Sequence, residues 1–541
     1  MNNSIYHFPY PANEPVKSYA PGSVERKELQ EELTRLSSET IEIPVIIGGR
    51  EVHTGDTGTV AMPHDHRHVL ATYHKAGVKE VEAAVTAATQ AQKAWERFPW
   101  EERAAILLRI AELAAKKYRA LLNAATMLGQ SKNAFQAEID SACENVDFLR
   151  FNAHYACRIY SEQPHSESGV INRMEYRPLE GFVLAVTPFN FTAIASNLNL
   201  SPVLMGNTTI WKPATTAIFS NYFLMKIFQE AGLPDGVVNF LPGAGRIIGN
   251  AALASPHFAG LHFTGSTATF DQLWQTAAGN LPGYRSYPRL VGETGGKDFV
   301  VAHPSAKAQE LAVALVRGSF EYQGQKCSAS SRAYIPSNLW REVKQSLCDM
   351  LASIKTGDVR DFSNYHNAVI DETSFDTVMS YLDRARRSSG ATIVAGGTGD
   401  KSQGYFIQPT VIEVSDPHFV TMQEEIFGPA LSVYVYPENK WQETLQLLDE
   451  TSPYGLTGAV FAQDRYALEE AAQRLKYAAG NIYFNDKSTG AVVGQQPFGG
   501  ARRSGTNDKA GSYLNLLRWT SPRAIKECLA PPVDYRYPFL G

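Results

Sequence analysis

The chain has 541 residues, too many for one hydrophobic core, since cores stop growing at about 250–300 residues. Hydrophobic residues make up 44% and charged residues 19%, which excludes a wholly disordered chain, and a net charge of −5 offers no cationic field for a nucleic-acid backbone. Five cysteines, Cys143, Cys157, Cys327, Cys348 and Cys528, exclude a disulfide scaffold and point to a reducing compartment.

The N-terminus has the layout of neither a secretory signal nor an Arg-rich transit peptide. The most apolar window, Gly181 to Trp211, is broken by six Pro and Asn residues, so no spanning helix is expected. The chain is expected to be soluble and cytoplasmic, with a small-molecule substrate and neither nucleic acid nor membrane as partner. His64, His66 and His68 alternate in PHDHRHVL. On an extended segment they would share a side, but no fourth ligand is evident, so a solvated loop and no metal are expected.

A helical region is expected from about Val78 to Ser161, with Leu107, Ile110, Ala114, Tyr118 and Leu121 on one face and a break at Pro99. Farther on, Glu144, Phe148, Phe151 and Tyr155 also share a face, which puts a carboxylate beside aromatics; an edge-of-core glutamate and a functional one are both open. From residue 181 the pattern changes to short apolar runs, GFVLAV, TTIW, GVVNFL and GLHF, alternating with helical stretches. These read as doubly buried parallel strands in βα units. DFVVA, RAYIP, ATIVAGG and ALSVYVY start a second such series, with a boundary near residue 291. VINRMEYRP (170–178) and RWTSPRAIKE (518–527) read as edge strands without a partner in either unit.

Among the cysteines, Cys327 in EYQGQKCSASSR stands out. Lys326 and a nearby helix N-terminus are expected to lower its thiol pKa, and Ser328, Ala329 and Ser330 leave room for a substrate. Cys143, Cys157 and Cys348 lie in helical patterns and read as small core residues. Upstream, GETGGKD carries Glu293 before two glycines: a general base toward water, or an ordinary loop glutamate. Asn190 in TPFNFT follows a buried strand and could donate to an oxyanion. EEIFGP sets Glu425 beside Phe427, a ribose acceptor next to an aromatic. The Gly-rich LPGAGRIIG has GxGxxxG spacing and is a weak dinucleotide signal by itself.

Together, the ordered set TPFN, WKP, FTGS, ETGGK, GQKC, EEIFGP and PFGG resembles the aldehyde dehydrogenase superfamily from about residue 45 onward. The resemblance implies an aldehyde dehydrogenase-like α/β fold: two parallel-sheet α/β domains plus a small β oligomerisation arm, in a homodimer or higher homo-oligomer. The implied boundaries are 1–164 and 180–290 for the NAD-binding domain, 291–503 for the catalytic domain, and 165–179 with 504–541 for the arm. It implies Cys327 as nucleophile, Glu293 as base, and Asn190 with the Cys327 N–H as oxyanion hole. NAD would meet Thr187, Trp211, Lys212, Gly265, Ser266, Thr267, Ala268, Thr269, Glu425 and Phe427.

NDKSTGAVVGQQPFGGARRSGTNDK (485–509) narrows the resemblance to the branch that oxidises L-glutamate γ-semialdehyde, formed from Δ1-pyrroline-5-carboxylate in proline breakdown, to L-glutamate. The substrate carboxylate would then meet Ser328, Gly490 and Ala491, with Phe191 and Phe498 beside the aliphatic part. Glu144 would meet the ammonium or hold Lys326. The chain departs from common family patterns at Thr294, Phe270 and Ala491, where others carry Leu, Gly and Ser. Thr215 stands where NAD-preferring members place a Glu, which predicts that NADP is accepted beside a preferred NAD. A broader semialdehyde dehydrogenase, a retired enzyme kept for binding, and a metal module are the competing readings.

Overall fold

The computed structural model describes residues 6–541. Two seven-stranded sheets organise it. Across the first, the order is Arg289–Glu293, Phe258–Thr264, Phe182–Val186, Thr208–Lys212, Val238–Phe240, Val45–Ile47 and Arg50–Val52. The first five are parallel, and the last two form an antiparallel hairpin at the edge. All seven residues of Phe258–Thr264 are buried, which is why this strand reads as an unbroken apolar run.

The second sheet runs Ala391–Ala395, Thr410–Val414, Ala430–Tyr436, Ser330–Pro336, Asp298–Ala302, Thr457–Phe461 and Asn481–Phe484. Only its first strand is antiparallel. Residues 294–297 cross directly from one sheet to the other. Helices on both faces supply separate cores: Leu311, Leu315 and Val343 on one side of the second sheet, Val378, Leu382 and Leu445 on the other.

The long helical region is interrupted more often than periodicity indicated. It comprises Val78–Trp95, Trp100–Ala115 with Pro99 at its N-cap, Arg119–Gln130, a π-helix Glu138–Glu144, and Asn145–Ser161. The two segments without partners pair with each other: Val170–Arg177 and Ser521–Cys528 form an antiparallel ribbon of eight residue pairs. No helix among the described residues is long and apolar enough to cross a membrane.

Three expectations need correction. PHDHRHVL is not a solvated loop, because His66 and His68 lie in a ten-residue strand, Asp65–His74, and His64 before it is buried. His64 is buried beneath Gly404, and burial pushes its pKa down to about 4; His66 stacks on Tyr405 and hydrogen-bonds to the Lys401 carbonyl. Cys157 and Cys348 are half-buried rather than core residues, whereas Cys143 is buried.

Candidate active site

In an open parallel sheet, ligands enter at the carboxyl ends of the strands, where the chain leaves toward both edges. Here that point lies between Phe182–Val186 and Phe258–Thr264, which are neighbours although the intervening strands build outward to the other side. Thr187 and Asn190 follow the first strand, Gly265 and Ser266 follow the second, Lys212 ends a third, and Glu293 ends the outermost. Motifs scattered over a hundred residues therefore meet at one edge.

Two helices start there, Gly245–Leu253 and Thr267–Gly279. Gly249 lets them approach: a Cβ on it would stand 3.3 Å from Leu273. Gly243 likewise passes close to the Ala76 backbone, so the glycines of LPGAGRIIG serve chain packing. Ser266 caps the second helix by accepting from the Thr269 N–H at 3.3 Å. The first turn, with Ala268 and Thr269 exposed, leaves N–H groups outward, a setting suited to phosphate. Lys212 reaches toward the other helix start, its Nζ 3.7 Å from where a Gly245 Cβ would be. It has no hydrogen-bond or ion-pair partner among the described residues, and burial pushes its pKa down to about 8. An unpartnered cation beside a helix N-terminus fits a dinucleotide phosphate. The Trp211 ring lies in the core and donates its Nε1–H to Thr187 Oγ1 at 2.9 Å, so it reaches this edge only through Thr187.

The ETGGK crossing is tight. Glu425 accepts the Gly296 N–H at 2.9 Å, and a Cβ on Gly295 would fall 2.3 Å from its carboxylate. A Cβ on Gly296 would fall 2.3 Å from the Cys327 carbonyl oxygen. Burial pushes Glu425 up to about 7, and Phe427, at φ 56°, turns its ring against Phe189.

A cavity of about 460 Å³ gathers Cys327, Glu293, Glu144, Phe191, Ser328, Phe498, Gly490 and Ala491. Tyr322, Gln323 and Gly324 all have positive φ on the approach to Cys327, the strained backbone that fixed functional loops often show. Asn190 does not line the cavity. Its amide donates to the Gln325 carbonyl at 3.1 Å, which holds it to the nucleophile's loop with one amide hydrogen to spare.

The thiol environment is the reverse of the expectation. Lys326 is paired with buried Glu321 at 3.1 Å, and the helix N-terminus at Thr192 is already occupied by Asp140, which accepts the Thr192 and Ala193 N–H groups. Both expected sources of positive potential are thus taken. Burial, then Glu293, Asp298, Glu425 and Glu144, hold the Cys327 thiol well above its ordinary pKa. Burial also raises Glu293 to about 8, against Lys509, and Glu144 to about 8.

Glu144 ends the π-helix, a rare form that recurs at functional sites. Lys487, which no local pattern singled out, lines the same cavity with its Nζ 2.8 Å from where a Gly490 Cβ would be. Asn13, Asp147, His262 and Asp508 in the cavity wall were equally unmarked in the sequence. Ser328 Oγ bonds Thr489 Oγ1 at 2.8 Å, tying the residue after the nucleophile to the loop that carries Gly490. Away from this site, Glu42, His53 and His74 bring ligating atoms together, with His74 Nε2 2.7 Å from Glu42. The Gly55 N–H donates to His74 Nδ1, so the Nε2 keeps its hydrogen and the group is a hydrogen-bonded cluster.

Comparison with known proteins agrees with this geometry. Residues 52–525 match the aldehyde dehydrogenase family. A mitochondrial delta-1-pyrroline-5-carboxylate dehydrogenase from Dictyostelium discoideum is 51% identical over 99% of this chain and 96% of its own length. An Agaricus bisporus protein of the same name, without the compartment, is 51% identical over 99% and 98%. The crystal structure of the Mycobacterium tuberculosis delta-pyrroline-5-carboxylate dehydrogenase bound with NAD superposes with a TM-score of 0.96 at 51% identity, covering 100% of both chains.

Proposed function

The chain belongs to the aldehyde dehydrogenase family, and from that premise we propose that it oxidises L-glutamate γ-semialdehyde to L-glutamate, with NAD, in proline catabolism. The observation that carries this reading is one cavity lined by a thiol, a carboxylate base, apolar rings and further polar groups.

The Cys327 thiol gives its proton to solvent and its Sγ bonds the aldehyde carbon, whose π pair moves to oxygen and leaves an alkoxide that the Asn190 amide and the Cys327 N–H stabilise. NAD, when bound, supplies the hydride acceptor. Once the hydride has left, the carbon is a thioester on Cys327. Glu293 as carboxylate takes a proton from water, water's oxygen bonds the carbon, and the C–S bond breaks to release the acid. Thr187, Lys212, Gly265, Ser266, Thr267, Ala268, Thr269, Glu425 and Phe427 would hold the cofactor, with Trp211 acting only through Thr187. The absence of a carboxylate at exposed Thr215 supports secondary use of NADP.

The substrate's α-carboxylate meets Ser328 and the backbone N–H groups of Gly490 and Ala491, with Lys487 beside them. Its α-ammonium, on the same carbon, faces Glu144, and Phe191 and Phe498 flank the methylenes between that carbon and the aldehyde. Both groups are charged and costly to desolvate without such partners.

The same reading keeps residues 1–164 and 180–290 as the cofactor domain, 291–503 as the catalytic domain and 165–179 with 504–541 as the arm, which the two sheets and the ribbon support. The ribbon leaves both its outer edges unpaired, and we read it as pairing with a second copy in a homodimer or higher homo-oligomer. Its five free cysteines suit the cytoplasm; fractionation against mitochondrial markers tests this, since the Dictyostelium relative is named mitochondrial. The activity itself is tested by incubating the protein with NAD and pyrroline-5-carboxylate and quantifying L-glutamate against NADH. Equal amounts support the proposal, and NADH without L-glutamate overturns it.

A further inference from the structure

The segment from Phe8 to Tyr19 has no helix or strand, yet it is fastened along its length to the wall of the substrate cavity. Tyr19 OH and the Lys17 N–H both donate to Glu138, at 2.8 Å each. Glu14 pairs with Arg119 and Arg150, and its N–H donates to Asp147 at 2.7 Å. Glu138 opens the π-helix and Asp147 lies one turn beyond it, so the segment grips the chain on both sides of Glu144.

Asn13 adds a second attachment. Its amide nitrogen lies 2.8 Å from both Asp147 Oδ2 and the Val493 carbonyl, 480 residues away in sequence, while its oxygen accepts from Gln495 Nε2 at 2.9 Å. Tyr10 OH donates to the Gly494 carbonyl at 2.9 Å. Asn13 itself lines the cavity, alongside Glu144, Gly490 and Ala491. One side chain therefore joins the helix that carries the ammonium-facing carboxylate to the loop that carries the carboxylate-facing amides.

We propose that the N-terminal segment is a specificity strap and that Asn13 is a positioning residue, holding the Glu144 side and the Gly490–Ala491 loop together around the one carbon that carries both the carboxylate and the ammonium of an amino-acid aldehyde. This rests on the proposed substrate. Neither Cys327 nor Glu293 hydrogen-bonds to the strap, so it bears on where the amino-acid end sits and leaves the aldehyde chemistry unchanged.

The test uses the 541-residue chain and its Asn13→Ala variant, assayed with glutamate semialdehyde and with butanal, which lacks both charged groups. The strap predicts a KM for glutamate semialdehyde raised about tenfold or more, since misplacing a binding group by a fraction of an ångström is felt strongly. Its kcat should hold within about twofold, and kcat/KM for butanal should not change. Asp147→Asn, which keeps an acceptor for the Asn13 amide, should retain most of the affinity. An unchanged KM overturns the strap. Equal losses on both substrates with a lowered melting temperature also overturn it, because they mark a merely structural contact. Failure of the substrate proposal is separately visible: the unmodified chain would then show no preference for glutamate semialdehyde over butanal.

Discussion

Lys326 and Glu321 form a buried ion pair 3.1 Å apart, and the charge of the lysine beside Cys327 is spent on that pair. The thiol is left buried beside Glu293, Asp298, Glu425 and Glu144 and stays protonated at rest. Alkylation of Cys327 by iodoacetamide, followed by mass spectrometry without cofactor, should therefore rise only above the ordinary thiol range near pH ~8.5. Cys327→Ala should remove both the label and all turnover. Rapid labelling at neutral pH would show that a cation reaches the thiol after all.

The Glu293 carboxyl is held at about 8 by burial, so in neutral solution it is mostly the acid, which cannot accept a proton. Thioester hydrolysis should rise with pH through about 8 as the carboxylate forms. Glu293→Gln should show a burst of NADH followed by slow, pH-independent turnover. Steady-state turnover equal to the unmodified protein's would refute the base role.

Gly296 passes so close to the Cys327 carbonyl that any side chain must displace it. Gly296→Ala should cost roughly 1–3 kcal/mol in urea denaturation, the usual range for overpacking. Activity should fall further than stability accounts for, because the displaced atom belongs to the nucleophile's own residue. A neutral substitution would mean that the crossing is slack.

How much of this was legible in the sequence depends on whether local chemistry or distant partners set each feature. Phe182–Val186 and Phe258–Thr264 were readable because strands buried on both faces need apolar residues throughout. The sequence motifs located Cys327, Glu293 and Asn190. They could not show the thiol's electrostatics, since Asp140, which occupies the nearby helix start, lies 52 residues before Thr192. The π-helix was equally hidden: EIDSACE carries no special pattern, and ion pairs from Arg119 to Glu138 and from Lys132 to Asp140 hold it. The strap has no periodicity, because its order comes from partners more than a hundred residues away.

Thr215 is exposed at the start of a short 3-10 turn just beyond Lys212. Thr215→Glu should lower kcat/KM for NADP at least about tenfold by repelling the 2′-phosphate and change that for NAD less than about twofold. Initial rates with each cofactor decide it. Equal loss with both would place the residue away from the ribose.

The most direct test of the substrate assignment is the ratio of kcat/KM for glutamate semialdehyde to that for butanal, measured on the unmodified protein with saturating NAD. A cavity with polar partners for both the carboxylate and the ammonium rejects an aldehyde lacking those charges far more strongly than it resolves a missing methylene. The expected ratio is at least about a hundred, equivalent to ~2.7 kcal/mol of transition-state binding. A ratio near one would contradict the account and identify a broad-range aldehyde dehydrogenase instead.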